Sequence, residues 1–175
     1  MKKFLVLAAA SLPLLAAPAF ADMTTGVVNV AKILHDSKAA TSVRNQMQAK
    51  QKALQSEVSD KAKELHAEDQ SLVKQKDTTT DKAAFDKKVK DFQDKAGKEE
   101  REVQDQKVAL DKAFAGALED IQKNVLDITK QVAAEKKLNL VVSSAQVLYA
   151  DPSLDITDEV LKRLDAKLPT VAVKF

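Results

Sequence analysis

The chain has 175 residues with 28 basic and 26 acidic side chains and no cysteine, which excludes disulfides and thiol chemistry and leaves stability to packing. Its formal charge of +2 rests on Lys2 and Lys3; without them 26 basic groups face 26 acidic ones, and the global charge gives no support for a nucleic-acid partner. Beyond residue 21 the aromatic residues are only Phe85, Phe92, Phe114, Phe175 and Tyr149, thin material for a compact core, so an elongated shape is expected.

Residues 1–21 read as a secretory signal peptide. Lys2 and Lys3 precede an apolar run, and Ala19-Phe20-Ala21 supplies a small-x-small cleavage site. Pro13 interrupts a run already shorter than the roughly 20 residues of a bilayer span, which argues against an anchor. The expected product starts at Asp22 and is exported and soluble.

Val27-Val28-Asn29-Val30 is the first strand candidate. From Val27 to Asp151 there is no proline, and the only glycines are Gly97 and Gly116, so long helices are the natural reading. Val43, Met47, Leu54, Val58, Leu65 and Leu72 step by fours and sevens from about Thr41 to Lys76. Asp77-Thr78-Thr79-Thr80-Asp81 favours a turn followed by a helix cap. A second stripe then runs through Phe85, Val89, Phe92, Ala96, Val103, Leu110, Phe114, Leu118, Ile121, Val125, Ile128 and Val132. Glu99 and Gln106 take two of its seam positions, and the four-residue steps through Phe114 make a stutter. The pattern predicts an antiparallel coiled-coil hairpin over residues 41–137 with its tip near residues 77–81.

Leu138-Asn139-Leu140-Val141-Val142 and Val147-Leu148-Tyr149 are further strand candidates. Thr157 is placed to cap a short helix that carries Val160, Leu161, Leu164 and Leu168 on one side and stops at Pro169. Residues 22–40 and 138–175 are thus expected to form one small α/β base into which the hairpin is inserted: a mainly α fold with a little β structure. Three short strands leave open edges, and a two-helix hairpin buries only a narrow stripe. A homo-oligomer joined through the base follows, with Val28, Val30, Leu138, Leu140, Val142 and Leu148 as its expected core and arms projecting from one end.

Templates for catalysis fail one by one. His35 and His66 lack a second His or a Cys at ligand spacing, no glycine cluster can cradle phosphate, and Ser143-Ser144 has no base arranged to activate it. No enzyme, cofactor or metal site is expected. The arm's tip does carry a local charge: Lys74, Lys76, Lys82, Lys87, Lys88 and Lys90 stand against Asp77, Asp81 and Asp86. Such a patch can steer acidic or membrane-surface partners, or it can be a solvated helix face stabilised by Asp–Lys pairs.

The Gly26-Val27-Val28-Asn29-Val30 strand, the charged hairpin, Leu138-Asn139-Leu140-Val141-Val142, Tyr149 and Asp155-Ile156-Thr157-Asp158-Glu159-Val160-Leu161-Lys162 together resemble the Skp/OmpH family of periplasmic chaperones. The resemblance spans the chain beyond the leader; its specific parts are the Leu-Val-Val strand and the Asp-Ile-Thr-Asp helix start. It implies a homotrimer with a small barrel of shared strands and three arms around a cavity, holding unfolded outer-membrane β-barrel proteins in the periplasm without ATP. It also implies a lipopolysaccharide site on a basic arm stretch. Lys87 and Lys88 are the nearest counterparts, and the arginines of that stretch are missing. The alternative from another class is a structural coiled-coil spacer or adaptor of the cell envelope.

Overall fold

The computed structural model describes residues 23–175; the expected leader and its cleavage site lie outside them. In chain order the elements are β1 (Thr25–Val28), α1 (Val30–Asp36), α2 (Lys38–Lys76), α3 (Lys82–Glu135), β2 (Leu140–Ser143) and α4 (Thr157–Lys167), with single 3-10 turns at Ser144–Gln146 and Pro152–Leu154. At 1.5 Å per residue the 39 residues of α2 and the 54 of α3 reach about 58 and 81 Å. They form the expected hairpin. The return helix outlasts its partner and runs into the base.

Local chemistry explains each helix end. Asn29 caps α1 by accepting from the Lys32 N–H at 2.8 Å, and the buried Ser37 caps α2 through the Ala40 N–H at 3.2 Å. At the tip the chain turns over residues 77–81, and Asp81 caps α3 by accepting from the Ala84 N–H at 3.0 Å. The far end of α3 closes with Lys137 at φ 55°. The Leu138 N–H there returns to the Ala133 carbonyl and the Lys137 N–H to that of Ala134, the paired bonds of a left-handed helix stop.

In the base, β1 and β2 pair in parallel, with Thr25 opposite Leu140 and Val28 opposite Ser143. Parallel neighbours need a long crossover, and here the whole hairpin is that crossover. Asp155 bridges the other side of β1 beside Val27, and the Ile156 N–H donates to the Val27 carbonyl at 2.9 Å. The core gathers where α1, α2, α3 and α4 meet: Ile33, Val43, Ile121, Ile128, Val132, Val160 and Leu164 are almost wholly enclosed.

Several expectations about the base and the seam need correction. Val30 opens α1 instead of ending a strand, because Asn29 prefers to cap. The first long helix starts at Lys38. Leu138 sits in the helix stop ahead of β2 and packs against the core. Val147, Leu148 and Tyr149 form no strand, and Leu148 stands wholly in solvent; among the described residues nothing offers that segment a pairing partner. Thr157 is not the cap of α4. Its hydroxyl accepts from the Asn29 N–H at 2.8 Å, and Asp155 accepts from the Thr157 N–H at 2.7 Å instead. On α3, Ala113 and Ala117 are buried where the stutter put Phe114 and Leu118, and Phe114 is exposed. The buried face of α3 at the root of the arm thus lies one residue ahead of the expected stripe, and residues 172–175 come beside Ala113 and Ala117.

Candidate functional site

From the root outward the arm becomes progressively less buried. Among the described residues, no side chain between Met47 and Leu110 is buried: Leu54, Val58, Leu65, Leu72, Phe85, Val89, Phe92 and Val103 are all half-exposed. Two helices alone can cover only part of each seam residue. A groove of about 620 Å³ opens along this stretch, lined by Val58, Leu65, Ala96 and Val103 together with Lys61 and Glu99.

Lys61 interrupts the apolar seam. Its ammonium pairs with Glu99, lies 3.0 Å from Glu102 and 3.4 Å from Glu57, and Gln106 donates to Glu57. The hydrogen bonds of Glu99 and then Glu102 hold the Lys61 ammonium above its ordinary range, and Lys61 in turn holds the Glu102 carboxyl below its own. Glu99 and Gln106 thus occupy the seam as expected, matched by a lysine that the sequence pattern did not single out. Further out, Lys95 pairs with Glu68 across the hairpin at 2.8 Å.

All six tip lysines are exposed. Lys74 and Lys76 lie in the last turn of α2, and Lys82, Lys87, Lys88 and Lys90 lie in the first turns of α3, so the turn brings both groups to one end of the arm. Lys87 pairs with Asp91 at 3.0 Å and Lys88 donates to Gln75 at 2.8 Å. Among the described residues no salt bridge engages Lys74, Lys76, Lys82 or Lys90. Val73 stands beside them, well exposed.

The base carries a second open surface. A groove of about 410 Å³ lies between β2 and the inner face of α3, and Val28, Val30, Leu138 and Leu140 meet there with Leu126 and Ala133. Val142 and Leu148 are not part of it. Val141 also lines it and packs against the core, whereas Leu140 is 46% exposed. The free side of β2 has no backbone partner among the described residues. Leu126, 54% exposed, is a wall of this groove that the heptad reading missed, because it lies off the seam; its apolar neighbours along α3 are separated by turns that periodicity assigns to solvent.

The protein family described as Outer membrane protein (OmpH-like) matches residues 24–164. The chain belongs to this family. Among OmpH-like relatives, the Chaperone protein Skp of Yersinia enterocolitica is 27% identical over 175 residues, covering 94% of this chain and 99% of that one. A crystal structure of an OmpH-like outer membrane chaperone from Caulobacter crescentus CB15 superposes with a TM-score of 0.78 at 21% identity, covering 97% of this chain and 94% of that chain. The fold is therefore the OmpH-like one, and a chaperone role follows from the family. The family is one of chaperones and not of enzymes.

For an OmpH-like chain the remaining polar clusters are structural. Arg163 of α4 forks onto Glu135 at 2.7 and 2.6 Å and also reaches Glu159, which Lys136 meets at 3.0 Å. These bonds clamp the end of α3 to α4 and hold the Glu159 carboxyl, through Lys136 and then Arg163, and the Glu135 carboxyl, through Arg163, below their usual range. His35 contacts Asp36 at 2.6 Å and His66 contacts Gln70 at 3.0 Å. Among the described residues, no group of three or more potential ligands gathers to hold a metal ion, and no helix is long and apolar enough to cross a membrane.

Proposed function

We propose that this chain is an ATP-independent periplasmic holdase that binds unfolded outer-membrane β-barrel proteins between its arms and prevents their aggregation. One observation carries the reading: a hairpin whose seam is half-exposed along most of its length, in a chain matched over 94% of its residues by a protein named as a chaperone. Half-covered apolar residues spread over a long arm offer many weak, exchangeable contacts, which suits a client of no fixed shape. Such contacts need no nucleotide for release. A client with unpaired strand edges is kept from pairing with other chains while it is held.

The working assembly is a homotrimer joined through the base, residues 22–40 and 138–175, with the arms of residues 41–137 around a shared hollow. Three features support it: the partnerless side of β2, the exposed Leu140 and Leu126, and the apolar groove between them. Neighbouring chains would cover these surfaces, and the solvent-facing segment around Leu148 and Tyr149 would gain a partner there. The six tip lysines, Lys74, Lys76, Lys82, Lys87, Lys88 and Lys90, are the proposed contact for acidic client segments or an anionic surface, lipopolysaccharide included.

Diluting a urea-unfolded outer-membrane porin into the purified protein and following light scattering tests the reading. Suppression at about one assembly per porin is expected from a holdase. Aggregation at the unassisted rate would leave the chain as a spacer of the cell envelope.

A further inference from the structure

The family match ends at residue 164, yet the chain beyond it is well packed. After α4, residues 169–175 run along the root of the arm in alternation: Val171 and Val173 are buried, Ala172 and Lys174 exposed. Gln46 of α2 holds this segment by its backbone. Its Nε2 donates to the Val171 carbonyl at 2.7 Å, and its Oε1 accepts from the Val173 N–H at 3.1 Å. In an extended chain the carbonyl of one residue and the N–H two residues on face the same side, and a parallel neighbouring strand would engage that same pair. One carboxamide thus stands in for a strand. Ser42 orients it, accepting from Nε2 through its hydroxyl at 3.0 Å and its carbonyl at 3.2 Å.

What this track recognises is a pattern: two apolar side chains on one face and a backbone amide pair between them. The Gln46 clamp reads backbone and not the identity of a side chain. The outer face stays open, with the Lys50 ammonium 5.7 Å from the Phe175 ring centroid. A shallow cavity of about 420 Å³ continues beside Ala172 and Phe175 over Ala113 and Gly116. Strands of outer-membrane barrels place apolar side chains on one face with this same period of two, and the buried Val171 and Val173 are spaced in that way.

We propose that this track at the arm's root is a docking site for an extended, alternately apolar segment of an unfolded polypeptide, and that residues 169–175 are its built-in competitor. The inference rests on the holdase reading. A client strand displaces the segment and takes over the Gln46 clamp and the two apolar seats. The segment keeps the track covered when no client is present, which protects free protein from pairing with itself.

The test compares the full chain with a form ended at Leu168, using a fluorescent peptide of the sequence of residues 169–175 and anisotropy as the readout. The peptide is expected to bind the shortened form and the full chain about ten-fold more weakly, as for a track closed in about nine molecules of ten. Urea-diluted porin should release it, and Gln46→Ala in the shortened form should abolish its binding. If the shortened form does not fold, the full chain carrying Val171→Ser and Val173→Ser frees the track without removing residues, and the same peptide preference is expected. Equal binding to closed and opened forms, no binding to either, or a porin that binds while leaving the peptide in place overturns the proposal. Porin bound by no form, with the peptide still preferring the opened one, would instead remove the holdase reading and leave the track.

Discussion

Gly26 shows how tightly the base is fitted around single atoms. A Cβ at this position would lie 2.7 Å from the Leu138 Cδ1 and 3.6 Å from both Ile156 and Val141. The crowding atom is the end of a flexible side chain, so alanine should be accommodated at a cost of about 1 kcal/mol, whereas Gly26→Val should cost about 2–3 kcal/mol through overpacking. Urea denaturation of both variants checks the order. Thr157 makes the complementary point about polarity. It is buried, and its hydroxyl is the acceptor for the Asn29 N–H. Thr157→Val keeps the shape and orphans that donor, for an expected loss of about 1–3 kcal/mol, while Thr157→Ser should retain most of the stability. Equal losses for the two would show that packing, not the hydrogen bond, matters here.

Helices of this length depend on intrinsic propensity as well as on packing, since much of the arm is half-exposed. Gly97 and Gly116 lie inside α3, and an added methyl at Gly116 would meet nothing within 4 Å. Gly116→Ala should therefore stabilise the chain by about 0.5–1 kcal/mol, read as a higher melting temperature by circular dichroism at 222 nm. The ion clusters tie the elements together in a pH-dependent way. Glu102 is held below its ordinary value of 4.5 by Lys61, and Glu135 and Glu159 below theirs by Arg163 and Lys136. A depressed folded-state pKa contributes stability that is present above the unfolded value and disappears as pH falls through the folded one. Melting temperatures should thus hold down to about pH 4.5 and drop below it. The drop should be shallower in Glu159→Gln and in Glu102→Gln; an acid slope unchanged by both substitutions would show that the clusters do not couple to folding. Lys61, with its pKa raised, works in the opposite direction: its contribution is complete below 10.5 and fades only in stronger alkali.

For the whole molecule the prediction that matters most is the proposed trimer joined through the base. Leu140 is outward-facing in the single subunit, so Leu140→Asp adds a charge that a lone chain can solvate but a packed interface cannot. Light scattering of the parent protein should report a mass of about three chains, the number proposed for the assembly, and the aspartate variant should report a folded protein of lower mass. A trimer that survives the substitution would place the contact elsewhere than the groove beside β2. Charge at the other end of the molecule is a separable matter. Neutralising the six tip lysines should slow capture of acidic partners most at low salt and leave the oligomeric mass unchanged, because screened surface charge acts over about a Debye length and not through the base.

The long helices and a polar turn with a helix cap between them were legible in the chain itself, since periodicity, missing breakers and short polar side chains act locally and need no partner to take effect; that Asp81 is the cap came from the structure. The family, too, could be read from the Leu-Val-Val strand and the Asp-Ile-Thr-Asp helix start. Tertiary structure decided what depends on distant neighbours. Thr157 serves Asn29 instead of its own helix, Val141 turns inward while Leu140 turns out, and Ala113 and Ala117 are buried where Phe114 was expected. Leu126 and Gln46 acquire meaning only beside β2 and residues 171–173. A side chain's burial is a property of what faces it, and residues more than a hundred positions apart come face to face only when the chain folds.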